Sequence, residues 1–330
     1  MRAPEPGGSA TISFIIRRLI QAVIVVLGVT LLIFLLFQFV PNGAVGLART
    51  DLGTRASAAQ IQSFIQSNGF NLPWWDQYWH LLTNYATLNF GHSYHFNEQV
   101  STLIGQYLPR SLVLVGESIV LALIVAIPLG IFQTVRRNKA SDYTLSSLAF
   151  IFYAMPAFVL GNLLILYLAV DNHVFRPVVP ATEGIAQMFT DWRVMTLPIV
   201  TLAAGTLAAF SRYMRSSMMD ALTEDYVRTA RAKGAGPGRV LIRHAFRNAL
   251  IPIITLLGLS LPLIVSGAVI TETVFNFPGM GFLTYRAATQ FDIYVVVGTT
   301  IVATVATVVG SLLADLLYAV ADPRIRYVNN

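Results

Sequence analysis

The chain has no cysteine and little charge. Among its 330 residues there is no cysteine, and charged residues make up only 12%. The missing thiols exclude disulfides, thiolate metal sites and cysteine nucleophiles. Soluble globular chains carry about 25% charged residues, so this chain has too few polar side chains to cover a water-facing surface of its size. With 55% apolar residues and a mean hydropathy of +0.64, it is predicted to be an integral membrane protein.

Motifs that would indicate chemistry within the chain are also missing. No GxSxG, HExxH, Walker A or paired-carboxylate spacing occurs in the sequence. Of the five histidines only His92 and His95 lie close together, and no second pair completes a metal site. We therefore expect no enzyme activity, no catalytic residue, no bound metal and no cofactor in this chain.

Six apolar stretches approach the length of about 20 residues that a helix needs to cross a bilayer. They cover residues 19–40, 111–135, 143–170, 194–210, 250–274 and 293–321. These stretches predict an all-α membrane domain over 19–321, with an N-terminal segment 1–18 and a tail 322–330. The first stretch could instead be a signal peptide, but its length and the lack of a small-residue cleavage site after it favour a retained anchor.

The distribution of basic residues predicts the orientation. Most of the 22 lysines and arginines fall in segment 1–18, in the loops after the second and fourth stretches, and in the tail. Because cytoplasmic loops carry an excess of lysine and arginine, we expect these four segments, and therefore both termini, to be cytoplasmic.

The predicted outer loop, residues 41–107, is rich in aromatic residues. Trp74, Trp75, Tyr78 and Trp79 form a cluster that is typical of the membrane interface. The apolar spacing predicts two short amphipathic helices lying on the membrane, carried by Ile61, Phe64, Ile65, Tyr78, Leu81 and Leu82. The alternative is that these aromatic residues pack against one another.

The long cytoplasmic loop, residues 212–249, predicts a short helix, a tight bend and a second helix. Thr223 is expected to cap the first helix, with Glu224 and Asp225 in its first turn. The helix must end at the glycine- and proline-containing segment 234–238. A second short helix over 239–248 then leads into the fifth stretch.

The first of these helices is predicted to align three apolar residues on one face. Leu222, Tyr226 and Ala230 share that face, while Arg231 and Lys233 lie in the last turn, where cations favour the helix dipole. Such a projection is suited to the groove of a partner protein. Alternatively, a basic loop could rest on anionic lipid headgroups.

At these residues the sequence resembles a known family. YVRTARAKG (226–234) and RHAFRNALIP (243–252) closely resemble the EAA loop of the dipeptide, oligopeptide and nickel permeases of ABC importers. Ala230 and Gly234 match the general EAA pattern, and the departures are those of the peptide and nickel branch. The departing positions hold Arg228, Thr229, His244, Phe246 and Arg247.

Further segments extend the resemblance over nearly the whole chain, in order. Residues 71–78 and 88–93 are similar to the first outer loop of the family, and 272–281 to its segment after the fifth span. Residues 315–318 and 322–327 are similar to its C-terminal end. The likeness is to the first of the two permease subunits.

The resemblance implies an ABC type I importer permease fold in a bacterial cytoplasmic membrane. It implies a second, homologous permease subunit, two cytoplasmic ATPases that bind ATP and Mg²⁺, an extracytoplasmic substrate-binding protein, and surrounding lipid; no nucleic acid is expected. The expected solutes are di- and oligopeptides. Nickel or other small solutes are the alternative, and an ion-coupled secondary transporter is a further one, for which Glu117 is the main candidate residue.

The resemblance also implies two sets of site residues. The helix near 224–234 would be the coupling helix that contacts the ATPase, through Glu224, Asp225, Tyr226, Arg228, Ala230, Lys233 and Gly234. A pathway or outer-gate role is expected for Glu117, Glu272, Phe275 and Asn276. Glu117 and Asp315 are further noted as ionisable residues within predicted spans, which are commonly functional.

Overall fold

A computed structural model describes residues 8–38, 43–53, 55–93, 95–178, 188, 191–266 and 268–321. Helices make up nearly all of these ranges, which confirms the predicted all-α class. A short antiparallel ladder joins β1 (His92–Ser93) to β2 (Glu98–Gln99), with His92 opposite Gln99.

The helices of the described residues differ widely in length. In chain order they are α1 (Gly8–Gln38), α2 (Gly43–Leu52), α3 (Ala58–Ser67), α4 (Trp74–Ala86), α5 (Val100–Val135), α6 (Ala140–Ala154), α7 (Ala157–Leu164), α8 (Trp192–Ala221), α9 (Asp225–Ala232), α10 (Pro237–Arg239), α11 (Phe246–Ser266), α12 (Val269–Val274), α13 (Met280–Thr289) and α14 (Ile293–Ala321). Two π-helical segments, Ile165–Asp171 and Val240–Ala245, continue α7 and α10.

Five helices in the described ranges are long and apolar enough to cross a membrane. They include Ile20–Gln38, Val100–Val135, Trp192–Ala221, Pro237–Gly258 and Ile293–Ser311. The predicted third span is instead a bent pair, because Ala140–Ala154 and Ala157–Asp171 meet at 99°. Pro156 lacks an N–H and disfavours helical geometry at the residue before it, and Met155 is extended (φ −75°, ψ 124°). Counted as one span, the pair brings the total to six.

The fourth and fifth spans have different ends from those predicted. Helix α8 runs from Trp192 to Ala221, beyond both ends of the apolar stretch. The predicted fifth span, 250–274, is interrupted: α11 ends at Ser266, and Ala268 (φ −103°, ψ 74°) is not helical. The Ala268 N–H donates to the carboxylate of Glu272 (3.1 Å), which holds the break in place.

The chain divides into two compact units. The first comprises Met1–Leu108 and Leu283–Val309, and its buried core includes Phe34, Tyr85, Ile293 and Val297. In this unit the predicted outer-loop helices are present as α3 and α4. Helix α3 begins with a capping box, in which Ser57 and Gln60 bond to each other's backbone N–H groups.

The second unit comprises Pro109–Phe282 and Gly310–Asn330. Its described residues form several buried apolar clusters, of which three hold its helices together. The first is centred on Leu114, Leu197, Phe275 and Phe277, the second on Ile119, Ala126 and Phe210, and the third on Met214, Met218, Ala245 and Ile253. The predicted coupling loop belongs to this unit.

Candidate functional site

Helix α9 begins one residue later than predicted, because Glu224 rather than Thr223 is its N-cap residue. The Thr223 hydroxyl donates to the Asp220 carbonyl (2.8 Å) and so completes the preceding helix. The chain becomes extended at Glu224 (φ −68°, ψ 151°), which takes the N-cap position without a side-chain bond. The predicted capping role of Thr223 is therefore wrong, because the last carbonyls of α8 lie within reach of its hydroxyl.

The end of α9 is formed as predicted. Gly234 has a positive φ of +81°. Its N–H donates to the Arg231 carbonyl (2.9 Å), and the Ala235 N–H donates to the Ala230 carbonyl (3.0 Å). These two bonds form a Schellman motif, in which glycine supplies the left-handed residue after the helix. The motif terminates α9 and redirects the chain towards Pro237.

The buried face of α9 is not the apolar stripe that the sequence spacing indicates. Val227 is fully buried and Ala230 is 8% exposed, whereas Tyr226 is 37% exposed. Val227 and Ala230 are three residues apart and so lie on one side of the helix. On this side α9 packs against the π-helical segment Val240–Ala245. The prediction missed Val227 because Tyr226 and Ala230, four residues apart, form an equally regular apolar stripe.

The remaining coupling candidates are on the surface. Apart from Ala230, all of the predicted residues are exposed: Glu224, Asp225, Tyr226, Arg228, Lys233 and Gly234. Arg228 lies 3.5 Å from the Asp225 carboxylate, with both side chains largely in solvent, so this ion pair contributes little stability. The outer face of α9 thus presents both signs of charge and a tyrosine ring.

The helix before α9 and the helical segment after it pack tightly together. Met214, Met218 and Ala221 of α8 form a buried cluster with residues of the following helical segment, namely Ala245, Ala249 and Ile253. The short α9 therefore lies in the chain between two helices that are packed against each other. Because close-packed side chains transmit strain, a displacement of the end of one of these helices also acts on the other.

An ion pair ties a second loop to this helix pair. Asp142, in the first turn of α6, accepts bonds from Nε (2.9 Å) and Nη2 (2.8 Å) of Arg215 on α8. The Asp142 side chain is only 1% exposed, and it also accepts the Asn138 N–H (3.1 Å). This bidentate geometry is the strongest form of the arginine–carboxylate pair. Apart from the basic character of the region that holds Arg215, nothing in the sequence marks this pair.

Helix α5 approaches α8 closely at the same end. A Cβ atom at Gly130 would lie 2.7 Å from Met214 Cβ and 2.8 Å from the Ser211 carbonyl, so only glycine fits. The Thr134 hydroxyl lies 2.8 Å from the Gly130 carbonyl and 3.2 Å from that of Arg215. The ends of α5, α6 and α8 are therefore joined by direct contacts.

Glu272, a predicted outer-gate residue, is fully buried. Its Oε1 accepts the Ser111 hydroxyl (2.8 Å) and its Oε2 accepts the Phe282 N–H (2.8 Å). Ser111 in turn accepts the Met280 N–H (2.7 Å). A Cβ at Gly279 would lie 2.5 Å from the Glu272 carboxyl carbon. The hydrogen bonds to the Glu272 carboxylate therefore fix the conformation of the segment 268–282.

The other three pathway candidates do not share a surface with Glu272. Phe275 is 1% exposed and belongs to a core cluster, whereas Asn276 is exposed with a positive φ of +49°. Glu117 is half-buried on α5. The side chain of Asp315 lies outside the described residues. In the described part of the chain, no three histidine or acidic side chains are grouped in a way that could hold a metal ion.

Comparison with known proteins identifies the family. The chain matches "Binding-protein-dependent transport system inner membrane component" over residues 126–327, and the N-terminal part of such membrane components over residues 11–115. It is a member of this family of multi-pass membrane permeases. Membership makes it a transport permease rather than an enzyme, and implies ATPase and substrate-binding partner proteins.

Two relatives match the chain along its whole length. The oligopeptide transport system permease protein AppB of Bacillus subtilis is 37% identical over 322 residues, which cover 96% of this chain and 99% of AppB. The glutathione transport system permease protein GsiC of Escherichia coli K12 is 33% identical over 316 residues, which cover 96% of this chain and 99% of GsiC. An inward-facing structure of the MetNI methionine ABC transporter is similar over 69% of this chain and 97% of its own, with 17% identity and a TM-score of 0.49.

Proposed function

We propose that this chain is the first of two permease subunits in an ATP-driven importer of di- and oligopeptides, and that it forms half of the translocation pathway. It would pair with a homologous permease, receive solute from an extracytoplasmic binding protein and rest on two cytoplasmic ATPases. ATP and Mg²⁺ would bind in the ATPases. The membrane is the bacterial cytoplasmic membrane, with both termini and α9 on the cytoplasmic side.

The single observation that carries this proposal is the construction of α9. Val227 and Ala230 are buried, the helix packs against the following segment, and Asp225, Tyr226 and Arg228 are exposed to solvent. An isolated helix of this length would be marginal in water, so its stability comes from packing. A rigid helix with an unoccupied polar face is suited to a groove in a partner.

The geometry supports a specific mechanism of coupling. Closure of the ATPases would push on the outer face of α9, and the cluster of Met214, Met218, Ala245 and Ile253 would carry that push into α8 and α11. A packed interface responds by moving as a rigid body rather than by deforming. Alternating exposure of the pathway would follow from this helix movement.

The solute class is supported by the relatives. AppB is named for oligopeptides and GsiC for glutathione, which is a tripeptide. Both relatives match nearly the whole chain, including α9 and the buried segment at Glu272. We therefore propose short peptides as the transported solute, with selection made largely by the binding protein.

The test is transport by the reconstituted complex. The chain, its partner permease, the ATPases and the binding protein are placed in proteoliposomes, and uptake of a labelled tripeptide is measured with ATP. Ala230→Asp would place a charge against the packed segment and should abolish uptake while the complex still assembles. Ala230→Ser, which fits nearly the same volume, should retain it.

The alternatives give different results in the same system. Uptake of Ni²⁺ but not of peptide would show that nickel, not peptide, is the transported solute. Uptake by the purified chain alone in a pH gradient would show that the chain is an ion-coupled secondary transporter rather than a subunit of an ATP-driven importer. Normal peptide uptake by Ala230→Asp would contradict the proposed role of α9.

A further inference from the structure

The contact between α6 and α8 is interrupted by a cleft of about 220 Å³. Helix α6 lines it with Ser146, Phe150 and Tyr153, and helix α8 with Ser211 and Arg212. Along the cleft the two helices lack continuous apolar packing. Their relative position therefore depends more on the polar contacts around the cleft, because a void removes dispersion contacts. One of these contacts crosses the cleft itself, since the Arg212 guanidinium lies 5.3 Å from the centroid of the Tyr153 ring.

Polar contacts tie α6 to its neighbours on either side of the cleft. Asp142 and Arg215 form the bidentate ion pair at the end that leads to α9. The Gln133 amide on α5 donates to the Ser146 hydroxyl (3.2 Å). The ion pair is the stronger of the two, because it is charge-assisted and its carboxylate is shielded from water.

Arg215 is linked to the coupling helix along α8. It follows Met214 in the chain, and Met214 and Met218 belong to the cluster that packs α8 against the segment after α9. Arg215 to Ala221 spans about 9 Å of helix at 1.5 Å per residue. A movement of α9 would thus reach α8 along the chain, and α6 through the buried Asp142–Arg215 ion pair and the contact of the Arg212 guanidinium with the Tyr153 ring (5.3 Å to the centroid).

We propose that Asp142 and Arg215 are positioning residues for transport: they make α6, and the bent span that it begins, follow the coupling helix. This inference rests on the proposed importer function. Neither side chain touches solute or ATP. When the pair is broken, α8 still responds to α9, but α6 lags behind, so ATP is hydrolysed without a matching movement of the pathway.

The experiment measures uptake and ATP hydrolysis together in the reconstituted complex with its binding protein. Asp142→Asn keeps the side-chain shape but removes the charge. We expect the number of peptides moved per ATP to fall roughly fivefold or more, the lower end of ordinary coupling effects, with ATPase activity retained. Arg215→Lys keeps the charge but cannot form the bidentate pair with both carboxylate oxygens. It should give an intermediate number of peptides moved per ATP.

Two further variants separate coupling from general damage. The double variant Asp142→Asn with Arg215→Ala should be no worse than Arg215→Ala alone, since paired residues act as a unit. Arg176→Gln removes an exposed ion pair to Asp191 (3.2 Å) in the same unit and should leave the ratio unchanged.

The outcomes distinguish this inference from the proposed function. If the wild-type complex moves no peptide with ATP, the importer proposal fails first. If it does, and assembled Arg215→Lys and Asp142→Asn both keep the wild-type ratio, the positioning role is wrong. Should Asp142→Asn fail to assemble, the ratio of Arg215→Lys decides the matter alone.

Discussion

Gly234 shows how a single backbone angle can control a functional helix. At φ +81° it lies in the left-handed region, and nothing lies within 4 Å of where its Cβ would be. The constraint on this residue is therefore its backbone conformation, not the space around it. Side chains with a Cβ are disfavoured in this region by roughly 1–2 kcal/mol, so glycine holds the end of α9 at the lowest cost.

A substitution series at Gly234 tests this point. Gly234→Ala should weaken the turn by about 1–2 kcal/mol, a factor of about 5 to 30 in the local equilibrium, and peptide uptake should fall with it. Gly234→Asn should be milder, because asparagine tolerates the left-handed region. Uptake in reconstituted vesicles is the measurement. Equal effects of the two substitutions would mean that bulk, not backbone angle, matters at this position.

The three faces of helix α4 have different surroundings. Tyr78, Leu81 and Tyr85 face the core of the first unit. The Tyr78 hydroxyl donates to the Leu27 carbonyl of α1 (2.9 Å), in the middle of the apolar stretch Ile20–Gln38. Helix α4 therefore lies beside the membrane-spanning part of α1 rather than above it. Exposed Trp75 and Trp79 share a second stripe, and exposed Asp76, His80 and Thr83 share a third.

This geometry predicts that the tryptophan stripe of α4 is immersed in lipid. Trp79 is 66% exposed in the chain, and tryptophan favours the membrane interface. In a variant that keeps only Trp79 of the four tryptophans, brominated lipids should quench its fluorescence more than aqueous iodide does. In the matched control, His80→Trp in a tryptophan-free chain, iodide should be the better quencher. The opposite order would place the Trp79 stripe in water.

At the scale of the whole molecule, the predicted topology is the basis for the proposed coupling. The basic loops after the second and fourth spans are both predicted to be cytoplasmic, and the Asp142–Arg215 bond joins helices that begin and end at those loops. A common side for both loops is required if α9 is to meet a cytoplasmic ATPase. The bond is consistent with the orientation derived from the basic residues.

The natural lack of cysteine makes the topology directly testable. Lys233→Cys should resist a membrane-impermeant maleimide in spheroplasts and react only after the membrane is opened. Leu88→Cys, at a position 74% exposed in the predicted outer loop, should react in intact spheroplasts. Labelling of Lys233→Cys from outside would overturn both the orientation and the importer assignment.

The sequence by itself determined the features that depend on local composition and periodicity. Its apolar content placed it in a membrane, its apolar stretches located the spans, and its glycine located the end of α9. Even there, local patterns misplaced the ends of the fourth and fifth spans, and the single third stretch is a pair of helices that meet at 99°. The helices continue or break according to bonds, such as Ala268 to Glu272, that an apolar stretch does not reveal.

Only the tertiary structure decided which side chains meet. It showed that Val227 rather than Tyr226 is the buried neighbour of Ala230, because both spacings are equally helical and only packing distinguishes them. It paired Asp142 with Arg215, 73 residues apart, and Ser111 with Glu272, 161 residues apart. Such pairs form because buried charge requires a partner, and the fold, not the local pattern, brings that partner within reach.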